Sequence, residues 1–311
     1  MKKYKLIVIM LCWGIFMASG IASAQEDTTA VTQEPTTESN EDEGKLPVRN
    51  PWTTGILIDN QTTEAPNAGQ LEFVIHHRFG KIEEISNLYG IYASSNIRLG
   101  VNYGITEKIS VGFGTEKDHM MQEFTGKYKI ISQSRDGKIP VSVTYFGNIV
   151  IDSREKETFG VNYEFLNRLS FFNQVIVGRK LTNAISVQVA GSYSHFNAVT
   201  ETTLNAEGTD TIGLWKNDYA GLMVGGRAKF HNNMSFIFEY SMPIAINEIW
   251  EGQNEPKSSL GLGLEIGTST HAFQIFAAQY RGIIAQQNYA RNLNSISDGD
   301  WAFGFNITVR F

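Results

Sequence analysis

The chain has 311 residues, 42% of them hydrophobic, with 29 glycines, 19 phenylalanines, 12 tyrosines and a formal net charge of −6. Its single cysteine, Cys12, excludes an intrachain disulfide, and the acidic excess is local: residues 45–311 hold 23 basic against 25 acidic side chains, so the body offers no electrostatic case for nucleic acid. Beyond residue 24, no apolar run approaches the roughly 18 residues that a membrane-spanning helix needs.

The first 24 residues predict a signal peptide. Lys2, Lys3 and Lys5 make a positive start, Leu6–Met17 an apolar stretch, and Ala22-Ser23-Ala24 a cleavage site, with cutting expected after Ala24. An uncleaved N-terminal anchor is the alternative. Met10 and Leu11 precede Cys12, which is not the small-residue context of a lipidation signal. Residues 25–44 carry seven acidic side chains and no basic one, and predict a disordered acidic leader. Residues 45–69 form a pre-barrel segment. Within it Lys45–Asn60, with Trp52, Ile56, Leu57 and Ile58, is too apolar for a free linker and is expected to plug the lumen or latch onto its rim.

From residue 70 to 311, apolar and polar residues alternate in short segments bounded by turn signals. Strands are predicted near 70–80, 95–105, 109–118, 122–132, 139–150, 168–181, 185–197, 217–230, 234–243, 258–268, 272–282 and 300–311, with Pro140 opening one of them. Ile105–Ser110, Leu181–Ser186 and Phe230–Ser235 share one tight-turn layout, and Ser134–Gly137 and Thr268–His271 add further short turns. Longer connections at 81–94, 151–167, 198–216, 244–257 and 282–299 tend to alternate with them. Phe159, Val161, Tyr163 and Phe165 also alternate, but strand parity leaves no place for them, so 151–167 is expected to be a loop with some β character. The fold class is all-β: a transmembrane antiparallel up-and-down β-barrel of about 12 strands.

Lipid is favoured over a soluble core as the cover for the apolar faces. The strands run about 10 residues, the length a tilted strand needs to cross a bilayer, whereas sandwich strands usually run about 5–6. The last stretch, WAFGFNITVRF, places Phe303, Phe305, Ile307, Val309 and Phe311 on one face and ends on an aromatic residue. That ending resembles the signal read by the barrel-assembly machinery. A soluble sandwich or secreted barrel is the alternative. The expected location is the outer membrane, with its lipid as the surroundings.

On this register Arg78, Arg98, Lys127, Lys129, Arg227 and Arg310 face the lumen with Glu72, Glu116, Glu123, Glu239 and Glu265. Near-equal signs predict an internally paired lumen, narrow or plugged, and not a ring of one charge. Catalytic and metal chemistry find little support, and no cofactor is expected. Ser192 and Ser194 flank His195 with no evident acidic partner, and His76 and His77 are adjacent and so point to opposite faces of a strand. His119, His195, His231 and His271 fall at strand ends or turns, Asp298-Gly-Asp300 lacks further oxygen ligands for calcium, and the sequon at Asn306 lies within a strand.

Several stretches together resemble an uncharacterised β-barrel family of Bacteroidota, domain of unknown function 5777. They are Arg49–Trp52, Gly55–Gln61, His77–Gly80, Tyr89–Arg98, Pro140–Asn148, Ser269–Phe276 and Asp298–Asp300. The resemblance runs from about residue 47 to the C-terminus and implies an outer-membrane-type barrel, without implying an activity or ligand. The functional expectation is a small-solute channel or a surface binding scaffold. Alternatives are an outer-membrane lipid-modifying enzyme and an accessory barrel that binds periplasmic partners through residues 25–68.

Overall fold

In a computed structural model, residues 44–82, 87–160, 162–205, 208–246, 248–249 and 251–311 are described. The expected signal peptide (1–24) and residues 25–43 of the expected leader lie outside them.

Twelve strands close into one antiparallel barrel. In chain order they are β1 (Leu71–Lys81), β2 (Asn96–Gly104), β3 (Ile109–Glu116), β4 (Met121–Ile131), β5 (Ser142–Asp152), β6 (Leu169–Lys180) and β7 (Ile185–Phe196). After a separate hairpin, β8 (Thr200–Asn205) and β9 (Gly208–Leu214), the barrel resumes with β10 (Asp218–His231), β11 (Met234–Ala245), β12 (Ser259–Gly267), β13 (His271–Ala278) and β14 (Ala302–Arg310). Strand β14 pairs with β1, matching Glu72 with Arg310 and His76 with Asn306, so the barrel has no unpaired edge.

The turn motif has a local cause. Thr106 Oγ1 accepts the main-chain N–H of Lys108 and Ile109 at 3.2 and 3.0 Å, and Thr182 does the same for Ala184 and Ile185 at 3.1 and 3.0 Å. Each hydroxyl pins a tight reversal between strands. Thr268 Oγ1 plays the same part for His271 N at 3.0 Å. These turns share one end of the barrel with the start of β1 and the end of β14.

The barrel is apolar outside and polar inside. Along β1 the inward side chains Glu72, Val74, His76 and Arg78 are buried, while Leu71 faces out; on β13 Ile275 is 64% exposed and its neighbour Gln274 1%. Phe113, Phe124, Val175, Val189, Leu222 and Leu264 continue the outer band. A soluble barrel would reverse this arrangement, because water does not tolerate so large a continuous apolar surface.

Four sequence expectations are corrected. The connection 198–216 contains the β8–β9 hairpin. Beyond Asp152, where β5 ends, the segment 151–167 shows no strand among its described residues. Instead it forms two single 3₁₀ turns, Lys156–Phe159 and Phe165–Arg168, held together by Arg168, which donates to the Tyr163 hydroxyl and the Asp152 carbonyl at 2.6 and 2.8 Å. Pro140 precedes its strand, which starts at Ser142, because proline lacks the N–H a ladder needs. The strand expected over 272–282 ends at Ala278, and the chain then turns into the barrel. There Tyr280, Ile283, Ile284 and Tyr289 bury their apolar surface, and a short helix, α1 (Ala285–Ala290), forms.

Candidate functional site: the filled lumen

Two pieces of chain occupy the lumen. The first is residues 51–66, which come before β1 and pass inside the wall. Trp52, Leu57 and Ile58 are buried against Ile237, Phe276 and Ala278, a cluster worth roughly 1.5–3 kcal/mol per fully buried side chain. Polar side chains from around the barrel take up the segment's main-chain groups. Lys127 Nζ donates to the carbonyls of Gly55, Thr62 and Glu64 at 2.8, 3.3 and 2.8 Å. Gln274 and Gln188 reach the Ile56 and Gln61 carbonyls at 3.2 and 2.9 Å, and Thr144 reaches that of Thr63 at 3.2 Å. A buried irregular segment without such partners would leave costly unsatisfied main-chain groups.

The turn at Asp59-Asn60 is the most strongly held part. Arg78 Nη2 lies 2.6 Å from Asp59 Oδ1, with both side chains 1% exposed, and also donates to the Ile58 carbonyl at 3.1 Å. Burial pushes the Asp59 carboxyl up, and the Arg78 guanidinium opposes that. Across the lumen, Glu239 accepts from Asp59 N, Asn60 N and Asn60 Nδ2 at 3.1, 3.1 and 3.2 Å. The turn therefore shows a carboxylate to a cation and its N–H groups to an anion.

The second piece is residues 279–292, between β13 and β14. Tyr289 sits among Phe146, Phe172, Ile176, Ala190 and Met223, with its ring centroid 5.6 Å from that of Phe172, and Ile284 packs on Met121 and Val150. Its polar contacts are uncharged at α1: Gln286 donates to Ser170 Oγ and accepts from Asn148, each at 3.0 Å. The two pieces meet in mid-lumen. Tyr289 donates to Asn60 Oδ1 at 2.6 Å, and Tyr280 to Glu239 Oε1 at 3.1 Å. Burial drives both phenols up, which keeps them protonated donors.

Every lumen charge singled out in the sequence lies on the inward face, but its partners differ. Arg98 pairs with Glu123 at 2.6 Å, Arg227 with Glu265 at 2.8 Å and Arg310 with Glu72 at 3.0 Å, all within the wall. Glu116 holds Asn96 and the His119 N–H at the opposite end from the tight turns. By contrast Arg78, Lys127, Lys129 and Glu239 are satisfied by the inserted chain; Lys129 Nζ stands 3.9 Å from Glu64 Oε2. A cavity of about 50 Å³ remains between the first piece and the wall, lined by His76, Arg98, Glu123, Lys127 and Asn102. Both His76 ring nitrogens are buried without a protein partner. A cavity this size and this polar has room for water.

Sequence reasoning missed the inward apolar residues Phe146, Phe172, Ile176, Met223, Ile237 and Phe276 that seat the inserts. It also missed the acidic partner of His195, whose Nδ1 lies 2.7 Å from Asp218 Oδ1 across the β7–β10 pair. His195 faces outward, however, while Ser194 is buried on the inward face. Strand pleating therefore separates hydroxyl from imidazole. No cluster of metal-ligating side chains occurs among the described residues.

A family profile described as membrane bound beta barrel domain, domain of unknown function 5777, matches residues 53–311. No curated protein matches the chain. Among solved structures, an outer membrane channel from Pseudomonas putida F1 is similar at 10% identity and a TM-score of 0.49, covering 80% of this chain and 97% of that one. The NanC porin gives 10% identity and 0.47 over 77% and 98%, and the KdgM porin 8% and 0.43 over 78% and 99%. With the family match spanning the barrel from the first insert to its closing strand, the chain belongs to the membrane-bound β-barrel domain family of unknown function 5777.

Proposed function

We propose that this chain is an outer-membrane channel for small solutes, closed at rest by its own residues 51–66. In this reading it is exported by a signal peptide cut after Ala24 and inserted by the barrel-assembly machinery through the strand ending in Phe311. The tight turns, the start of β1 and the end of β14 face the periplasm, as in outer-membrane barrels generally.

The observation that carries the reading is the chemistry of the wall behind residues 51–66. A barrel that needed only a filled centre is equally well served by apolar residues, since replacing buried ion pairs with packed hydrophobic ones is often neutral or stabilising. Here the first insert rests on Arg78, Lys127, Lys129 and Glu239, beside wall pairs such as Arg310 with Glu72. Water can solvate such a wall once the insert leaves, and a hydrated polar lumen is what conduction needs.

The test is conductance in planar bilayers. The full chain is expected to be silent or to open rarely, and a variant lacking 51–66 to carry steady current. A folded deletion variant, recognised by heat-modifiable migration, that stays silent would overturn the channel reading. The closed lumen and the β8–β9 hairpin at the long-loop end favour a second reading, a surface binding scaffold, and a silent deletion variant would leave that reading standing.

A further inference from the structure

The charges the insert leaves behind are unequal in sign. The three wall carboxylates Glu72, Glu123 and Glu265 keep wall guanidinium partners whether or not the insert is present. The cations do not divide the same way. Arg78 faces Asp59, Lys129 faces Glu64, and Lys127 donates to the carbonyls of Gly55, Thr62 and Glu64. On the anionic side, Glu239 is the wall carboxylate that depends on the insert. Withdrawal therefore uncovers three cations against one carboxylate, and the insert brings two carboxylates, Asp59 and Glu64, to neutralise them.

Arg78 shows how replacement works. It meets Asp59 through Nη2, while its Nε is buried with no partner. A tethered aspartate uses one edge of the guanidinium, whereas a free carboxylate can take Nε and Nη2 together, the stronger bidentate arrangement. The polar cavity beside Lys127 and the unpartnered His76 lies along the same seam and gives an entering group a first foothold.

We propose that the solute is a small organic anion of the carboxylate class. It takes over Arg78, Lys127 and Lys129 from Asp59, Glu64 and the carbonyls of the first insert, so the insert occupies the lumen as a stand-in for the cargo. The proposal rests on the channel reading and assigns its selectivity. An uncovered wall with excess positive charge favours anions over cations.

Two measurements test it and separate its failure from that of the channel reading. In the full chain carrying Thr63→Cys, maleimide labelling reports departure of the insert. Succinate is expected to speed labelling several-fold over sodium chloride at equal ionic strength, and Lys127→Gln to abolish that acceleration. In the full chain carrying Leu57→Ala, reversal potentials across a salt gradient are expected to show anion selectivity, reduced by Lys127→Gln. Cation-selective or unselective current, or labelling indifferent to succinate, would overturn the anion assignment while current itself keeps the channel. Succinate-dependent labelling in a barrel that never conducts would sink the channel reading and keep the anion site. Heat-modifiable migration checks that each variant is folded.

Discussion

The two pieces of chain inside the barrel are held by opposite chemistry. Residues 51–66 lean on charge, through Arg78 with Asp59, Glu239 with the Asp59 and Asn60 N–H groups, and Lys127 with three carbonyls. Residues 279–292 lean on packing, with Tyr289 and Ile284 buried among apolar wall residues and a helix, Ala285–Ala290, that carries no charge. Water can replace the first set of contacts at modest cost but not the second, because exposing an apolar pocket forfeits the whole transfer energy. On the channel reading proposed above, the first insert is the piece that leaves and the second the piece that stays. Part of the first also packs, through Trp52, Leu57 and Ile58, so on that reading its departure meets a barrier.

The largest expected effect comes from breaking the ion pair of the first insert. Asp59→Asn leaves the Arg78 guanidinium, 1% exposed, without a counter-charge, which costs about 3–5 kcal/mol. Conductance should rise and Thr63→Cys should label faster, with little change in the temperature at which the barrel loses heat-modifiable migration. Ile284→Ala should do the reverse. It empties the contact with Met121 and Val150 at a cost of about 2–5 kcal/mol, lowering the unfolding temperature while the lumen stays closed. If Ile284→Ala opened the channel and Asp59→Asn left it shut, the assignment of the moving part would be backwards. Glu239→Gln comes next. It weakens charge-assisted bonds worth about 1.5–3 kcal/mol and should open the channel less than Asp59→Asn, because a neutral amide oxygen still accepts from the Asn60 turn.

How much of this was legible in the sequence follows from period and reach. Alternation revealed the strands because apolar and polar residues fall on opposite faces, and the inward charges were readable because the outer face carries charge only near strand ends, as at Arg179 and Asp218. Where both faces are apolar, alternation is mute. Phe172 points in and Phe171 out, Phe146 in and Tyr145 out, and no pattern marks which one seats an insert. The helix Ala285–Ala290 left no periodic signal, being only 6 residues long and stabilised by the lumen it fills. Partner identity was equally hidden. Arg78 and Asp59 pair because strand and insert cross in space, and His195 meets Asp218 through the β7–β10 register. The apolar excess of 45–60 did signal that the segment needs cover, though not whose side chains supply it.

The smallest expected effect bears on whether the two inserts act independently. Tyr289 belongs to the packed insert, yet its hydroxyl donates to Asn60 Oδ1 of the charged one at 2.6 Å. Tyr289→Phe keeps the ring among Phe172, Ile176 and Met223 and removes the hydroxyl with this bond, a loss of about 1 kcal/mol. Gln174 Nε2, 3.3 Å from the same oxygen, softens the loss. Thr63→Cys labelling should therefore rise modestly, by well under the effect of Asp59→Asn. The informative quantity is the combination with Asn60→Ala, which removes the acceptor. If the bond is what joins the inserts, the double variant should label no faster than Asn60→Ala alone, whereas additive effects would mean that each phenol and amide acts through other neighbours. A non-additive result would make Tyr289 the point at which a solute arriving from the long-loop end is felt by the insert that must leave from the other.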